Sequence, residues 1–154
     1  WHLAGPEESF AAQGREGAWR ATLEAAGRDV PTALRGDWTA ESGYRAGLLL
    51  AEQPDCTAVF AANDQMALGV MRALHEKGRS IPGDVSVIGF DDIPDASSFF
   101  PPLTTIHQDF DQVGQLLVES ALRQIRTGSG EQGTTLVPTH LVVRESTGAP
   151  SAGR

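Results

Sequence analysis

A chain of 154 residues with 40% apolar and 21% charged residues carries enough apolar content for one compact domain with a core, which excludes a disordered segment. Its net charge of −8, with Lys77 as the sole lysine, excludes a surface that neutralises phosphates, so this segment does not itself grip DNA or RNA. No apolar run reaches the roughly 18 residues of a membrane span, and the single cysteine, Cys56, excludes an internal disulfide and a paired-cysteine metal site.

Extended and helical patterns alternate along the chain. Trp1 to Gly5 reads as a short apolar strand closed by Gly5-Pro6. From about Ser9 to Ala26 the residues Phe10, Ala18, Trp19, Leu23 and Ala26 recur at helical spacing, and Gly27 ends the run. Thr32 to Arg35 predicts a short strand. Thr39 then caps a helix that runs to about Gln53 and breaks before Pro54. Thr57 to Ala62 is a buried strand ending at Asn63-Asp64, with Asp64 predicted to cap a helix from Gln65 to Lys77 that Gly78 stops. Asp84 to Gly89 is a further apolar strand, running into Phe90, Asp91 and Asp92.

Beyond the Pro101-Pro102 link, Leu103 to His107 reads as a strand. Asp109 to Thr127 is an amphipathic helix whose stripe is Phe110, Val113, Leu117, Ala121 and Ile125. A flexible turn is expected from Gly128 to Gly133, and extended chain from Thr135 to Arg144. Strand–helix–strand units with continuously apolar strands make an α/β fold, a parallel sheet with helices on both faces. The ligand crevice of such a sheet lies beyond the carboxyl ends of its strands, where Asn63-Asp64 and Asp91-Asp92 would face one another.

Three chemistries compete for the carboxylates Asp91, Asp92 and Asp95. The plainest is turn and helix capping. A second is a magnesium-dependent phosphoryl-transfer pocket built on Asp64, Asp91 and Asp92, but this needs a lysine near strand ends, and Lys77 lies at a helix end. The histidines His2, His75, His107 and His140 are scattered without metal-ligand spacing, and no nucleophile motif accompanies Cys56, so no metal, cofactor or catalytic residue is assigned. The third chemistry is a saccharide site, in which planar polar groups bond hydroxyls and an aromatic ring covers the apolar sugar face. Arg15 early in the first helix, Trp38 after a strand, and Gln108-Asp109-Phe110 where a strand yields to a helix supply those groups on one edge.

The segments REGAW, GDWTAESGY, FAANDQMALGVMRAL, VSVIGFDD, SSFFPPLTTIHQDF and LVVRESTGAP, in this order from Ala4 to about Pro150, resemble the effector-binding core of the lac repressor family of transcription regulators. The resemblance implies a periplasmic-binding-protein-like fold of two α/β lobes closing on a small molecule, with this chain mostly the C-terminal lobe. Residues 1–107 and 136–150 would form that lobe, 108–135 would cross into the N-terminal lobe with its helix, and 151–154 would be a tail. A DNA-binding headpiece, the hinge and nearly all of the first lobe would lie outside the chain, and no heptad-patterned tetramerisation tail follows Pro150.

By the same resemblance, Arg15, Asn63 and Asp91 would bond sugar hydroxyls, Trp38 and Phe110 would pack on the ring or aglycone, and Gln108 would complete the ligand set. Leu68, Arg72, Phe99 and Phe100 would form a dimer interface, with Phe99-Phe100 read as an exposed apolar pair and Asp92 and Asp95 as shaping the turn before it. The implied protein is a cytoplasmic, allosteric repressor of carbohydrate metabolism. It has no catalysis and no membrane contact, acts as a homodimer, and has its affinity for operator DNA set by a small saccharide of the galactoside-like kind. A transport-type sugar-binding protein shares the fold and stands as the alternative.

Overall fold

Short runs of small and branched apolar residues lie side by side as a parallel sheet in the computed structural model, which describes residues 1–128 and 133–149. Strand β1 (His2–Ala4) sits between β2 (Leu34–Arg35) and β3 (Ala58–Ala61), and β4 (Ser86–Ile88) lies beyond β3, giving the order β2-β1-β3-β4. All pairings are parallel, with Leu3 beside Leu34 and Ala61, and Val59 beside Val87. Parallel bridges from Ile88 to Thr104 and from Asp91 to His107 attach β5 (Thr105–His107), and β6 (His140–Val142) pairs with β5 antiparallel. Extended chain was expected over Thr135–Arg144, and only His140–Val142, toward the end of that range, is strand. The expected turn from Gly128 to Gly133 falls largely, and the 151–154 tail wholly, outside the described residues.

Helices α1 (Phe10–Ala25), α2 (Ala40–Ala51) and α3 (Asp64–Glu76) each follow a strand, and α4 (Phe110–Thr127) follows β5. Alternation along the strands sends Leu3, Val59, Ala61 and Val87 to one face, where they pack with Leu50, Met66, Val70 and Leu74 in a single core. Helices α2 and α3 approach very closely there. A Cβ added at Gly69 would lie 2.0 Å from the Ala40 carbonyl oxygen, so only glycine admits this contact.

The opposite face differs from the expectation of full coverage. His2 stacks on Phe60 at 4.7 Å and lies 5.2 Å from the Trp19 ring of α1, while Phe60 and Ile88 remain half-buried. Helix α1 forms where predicted, with Ser9 as its cap, but its expected stripe does not bury: only Ala12 is inside and Phe10 is 90% exposed. Helix α4 buries no residue at all, and Leu117 and Ile125 are exposed. Its amphipathic face therefore meets no sheet within the described residues.

One cap is corrected. Asn63, not Asp64, caps α3: its backbone is extended, and its side-chain oxygen accepts from the Met66 N–H at 2.9 Å. Asp64 is the first helical residue, and its carboxylate turns inward to other partners.

Candidate functional site

Helices that follow parallel strands begin at the strands' carboxyl edge, so their N-termini collect there. The caps Ser9, Thr39 and Asn63 accordingly share one crevice of about 680 Å³ with Arg15, Trp38, Asp91, Gln108 and Phe110. The structure thus brings all six expected ligand residues, Arg15, Trp38, Asn63, Asp91, Gln108 and Phe110, to a single opening at the edge where the strand order reverses between β1 and β3.

Asp91 is the hub. One of its carboxylate oxygens, Oδ1, accepts from Gln108 Nε2 at 2.7 Å and from Arg15 Nη2 at 3.3 Å. Oδ2 completes a carboxylate that is 19% exposed. Arg15 also donates to the Ala62 carbonyl, and its guanidinium lies over the Phe90 ring at 3.8 Å, so it is fixed on three sides. Burial pushes the Asp91 carboxyl above the usual aspartate range, with Arg15 and Gln108 opposing that rise. Burial likewise pulls Arg15 down, and the Asp91 charge opposes it.

Trp38 forms the aromatic wall. Its ring covers Gly5, where an added Cβ would come within 2.3 Å of a ring carbon, so glycine at the end of β1 is what lets the indole lie flat. Phe110, 58% exposed at the start of α4, supplies a second ring to the crevice. Asn63 is only 6% exposed. Its oxygen caps α3, and its Nδ2 donates to the Trp38 carbonyl at 3.0 Å and to Gln65 Oε1 at 2.9 Å. Asn63 therefore braces Trp38 and α3, with both amide hydrogens donated and its oxygen accepting one bond. Ser9, Thr39 and Gln65 join the lining without having been singled out. Helix-start signals at Ser9 and Thr39, combined with the strand-edge rule, would have found those two, whereas nothing in the sequence marks Gln65.

The three carboxylates of the metal reading point apart. Asp91 faces the crevice. Asp64 is buried on Thr105 and the Ile93 N–H, and Asp92 accepts from Arg144 Nη2 at 2.7 Å and pairs with His107 Nδ1 at 3.0 Å. This corrects the expectation that Asp92 shapes the turn toward Phe99: it ties β4 to the β5–β6 pair. Burial raises the Asp92 carboxyl, but the bonds from Arg144 and His107 together outweigh it and hold the group below the usual range. Asp95 sits exposed in the 3-10 turn Pro94–Ser98. Cys56 is buried, which raises its thiol and leaves it unreactive.

Among the expected interface residues, Leu68 and Arg72 lie on the outer face of α3 and Phe100 is 95% exposed. Phe99 is corrected: it is 9% exposed and packs in the core, because extended backbone at Phe99 sends consecutive side chains to opposite sides.

The model of the periplasmic binding protein-like domain family matches residues 2–147. The lactose operon repressor of Escherichia coli K12 is 44% identical over 151 residues, covering 97% of this chain and 41% of its own length. A dimeric lac repressor with an 11-residue C-terminal deletion superposes with a TM-score of 0.89 at 41% identity, over 97% of this chain and 55% of that one. The transcriptional regulator CelR in complex with cellobiose superposes with a TM-score of 0.89 at 36% identity, over 94% of this chain and 45% of that one. The chain thus spans well under two thirds of these relatives.

Proposed function

This chain belongs to the periplasmic binding protein-like family and, within it, to the lac repressor group, and we propose on that footing that it is the effector-binding core of a DNA-binding transcriptional repressor of carbohydrate metabolism. The observation that supports the reading is the joint placement of a fixed Arg15–Asp91–Gln108 cluster and two aromatic rings in one crevice. Carboxylate and amide groups bond hydroxyls, and Trp38 and Phe110 take the apolar face of a sugar ring. Arg15 is the only cation in that lining among the described residues, and it is already engaged by Asp91 and a carbonyl. A phosphorylated or acidic ligand would have to draw it away and strand a half-buried carboxylate, at a cost of about 1–3 kcal/mol. The effector is accordingly an uncharged saccharide.

In this reading residues 1–107 and 136–150 form the C-terminal lobe, and 108–135 carry α4 onto a second lobe that closes the crevice and buries the exposed stripe. Operator binding belongs to a headpiece outside the chain. The protein acts in the cytoplasm as a homodimer through the Leu68, Arg72 and Phe100 surface, with no catalytic step. The relatives named above are regulators of transcription, which favours the repressor over a transport protein of the same fold. The test is calorimetric titration of the full-length protein with lactose and cellobiose, and with their phosphorylated counterparts. Asp91→Ala should lower affinity for the sugar that binds by at least about tenfold, the loss of one charge-assisted hydrogen bond. Unchanged affinity in that variant would remove Asp91 from the site.

A further inference from the structure

The turn that presents Asp91 is built from two consecutive residues in left-handed backbone, Asp91 at φ 109° and Asp92 at φ 53°. Neither is glycine, so the conformation must be imposed by its surroundings. We propose that Asp64 is the positioning residue of the saccharide site, clamping both ends of this turn so that the Asp91 carboxylate faces the crevice; the proposal rests on the reading of the site given above.

The geometry is a bracket. The Asp64 backbone N–H donates to the Phe90 carbonyl at 2.9 Å, on the near side of the turn. Asp64 Oδ2 accepts from the Ile93 N–H at 2.9 Å, on its far side. Oδ1 accepts from the Thr105 hydroxyl at 2.6 Å, and the Thr105 oxygen in turn accepts from the Asp92 N–H at 3.4 Å. Every residue from Phe90 to Ile93 is thus tied to Asp64, to Thr105, or, for Asp91, to Ile106 next to Thr105, whose carbonyl takes the Asp91 N–H at 2.9 Å.

Asp64 is free for this task because Asn63 has taken the capping role. Its carboxylate is fully buried and is held by a backbone N–H and a hydroxyl, whereas Asp91 and Asp92 each pair with an arginine. Burial accordingly raises its pKa, with the two hydrogen bonds opposing the rise. Its place in the first turn of α3 offsets part of the cost of burying that charge. The strand beside it is shaped to admit it. At Gly89 an added Cβ would lie 2.1 Å from Asp64 Oδ1, so the residue two before Asp91 leaves the space the carboxylate fills. Removing one acceptor releases one end of the bracket and lets the turn relax toward ordinary backbone, carrying Asp91 with it.

The test compares Asp64→Asn with the wild type in the full-length protein. Affinity for lactose and cellobiose is read by calorimetry at a temperature where circular dichroism shows both proteins fully folded. Amide hydrogen exchange is followed in parallel. Leu74→Ala, a core truncation, is the control for lowered stability alone. Expected are an affinity loss of at least about tenfold in Asp64→Asn and faster exchange confined to Asp92 and Ile93. Affinity within about twofold of wild type, or exchange that rises evenly through the core as in Leu74→Ala, would overturn the assignment. Should the wild type bind neither sugar, the saccharide reading fails separately. Exchange at Asp92 and Ile93 then decides the clamp: accelerated supports it, unchanged refutes it.

Discussion

Asp91 at φ 109° and Trp38 at φ 72° both hold side chains toward the crevice from backbone that non-glycine residues rarely adopt, at about 1–3 kcal/mol each. That energy is the cost of aim: a relaxed backbone would send either side chain elsewhere. The carboxylate so aimed is also sensitive to pH. In the proposed site sugar hydroxyls donate to its ionised form, and burial lifts its pKa above the ordinary 3.8. Acidification therefore removes the acceptor earlier than it would at an exposed aspartate. Saccharide affinity should fall as pH drops through a value above 3.8, measured by titration at a series of pH values, and the fall should be smaller in an Asp91→Asn variant, where the buried Asp64 is the raised carboxyl that remains. At this scale the sequence was a good guide to residue type and a poorer one to partner. Arg15, Trp38, Asp91, Gln108 and Phe110 could be placed on one edge by their positions after strands. That Asn63 is tied to Met66, Trp38 and Gln65 follows only from the packed structure.

Helices α2, α3 and α4 were legible because their apolar residues recur at helical spacing next to good caps. The choice between Asn63 and Asp64 as cap was not, since either residue can cap and the decision rests with Thr105 and Ile93, some 30 to 40 residues away. The burial expected of α1 is likewise not seen: its apolar residues repeat correctly, but only Ala12 is buried, and Trp19 meets the sheet at His2. Strands β2 and β6 are shorter than their sequence patterns because pairing with a neighbour, not composition, sets strand length. The α2–α3 contact gives this scale its prediction. Gly69→Ala would press a methyl against the Ala40 carbonyl at 2.0 Å and the Tyr44 N–H at 2.4 Å, so the helices must separate. Urea denaturation should show a loss of about 1–3 kcal/mol or more, with the secondary structure retained by circular dichroism.

For the molecule as a whole, the net charge is −8, and no helix among the described residues is long and apolar enough to cross a membrane. The α4 stripe and Phe100 are among its exposed apolar groups. The α/β layout could be read from alternating patterns, whereas Phe99 could not be separated from Phe100 without knowing which side of the chain faces the core. With Phe99 inside, the dimer surface proposed above depends on Phe100, at 95% exposure, and Leu68 at 42%. Sedimentation should show the full-length protein shifting from dimer toward monomer in a Phe100→Glu variant, with Phe99→Glu instead unfolding the lobe.

Trp38, flattened on Gly5 and open to the crevice, has a further use. The chain has three tryptophans, and Trp38 is the only one that lines the opening. Trp19 packs beside His2 one helical turn beyond Arg15, and neither it nor Trp1 belongs to the lining. The indole that shapes the crevice is thereby a built-in optical reporter, whose emission colour registers whether water or a sugar ring lies against it.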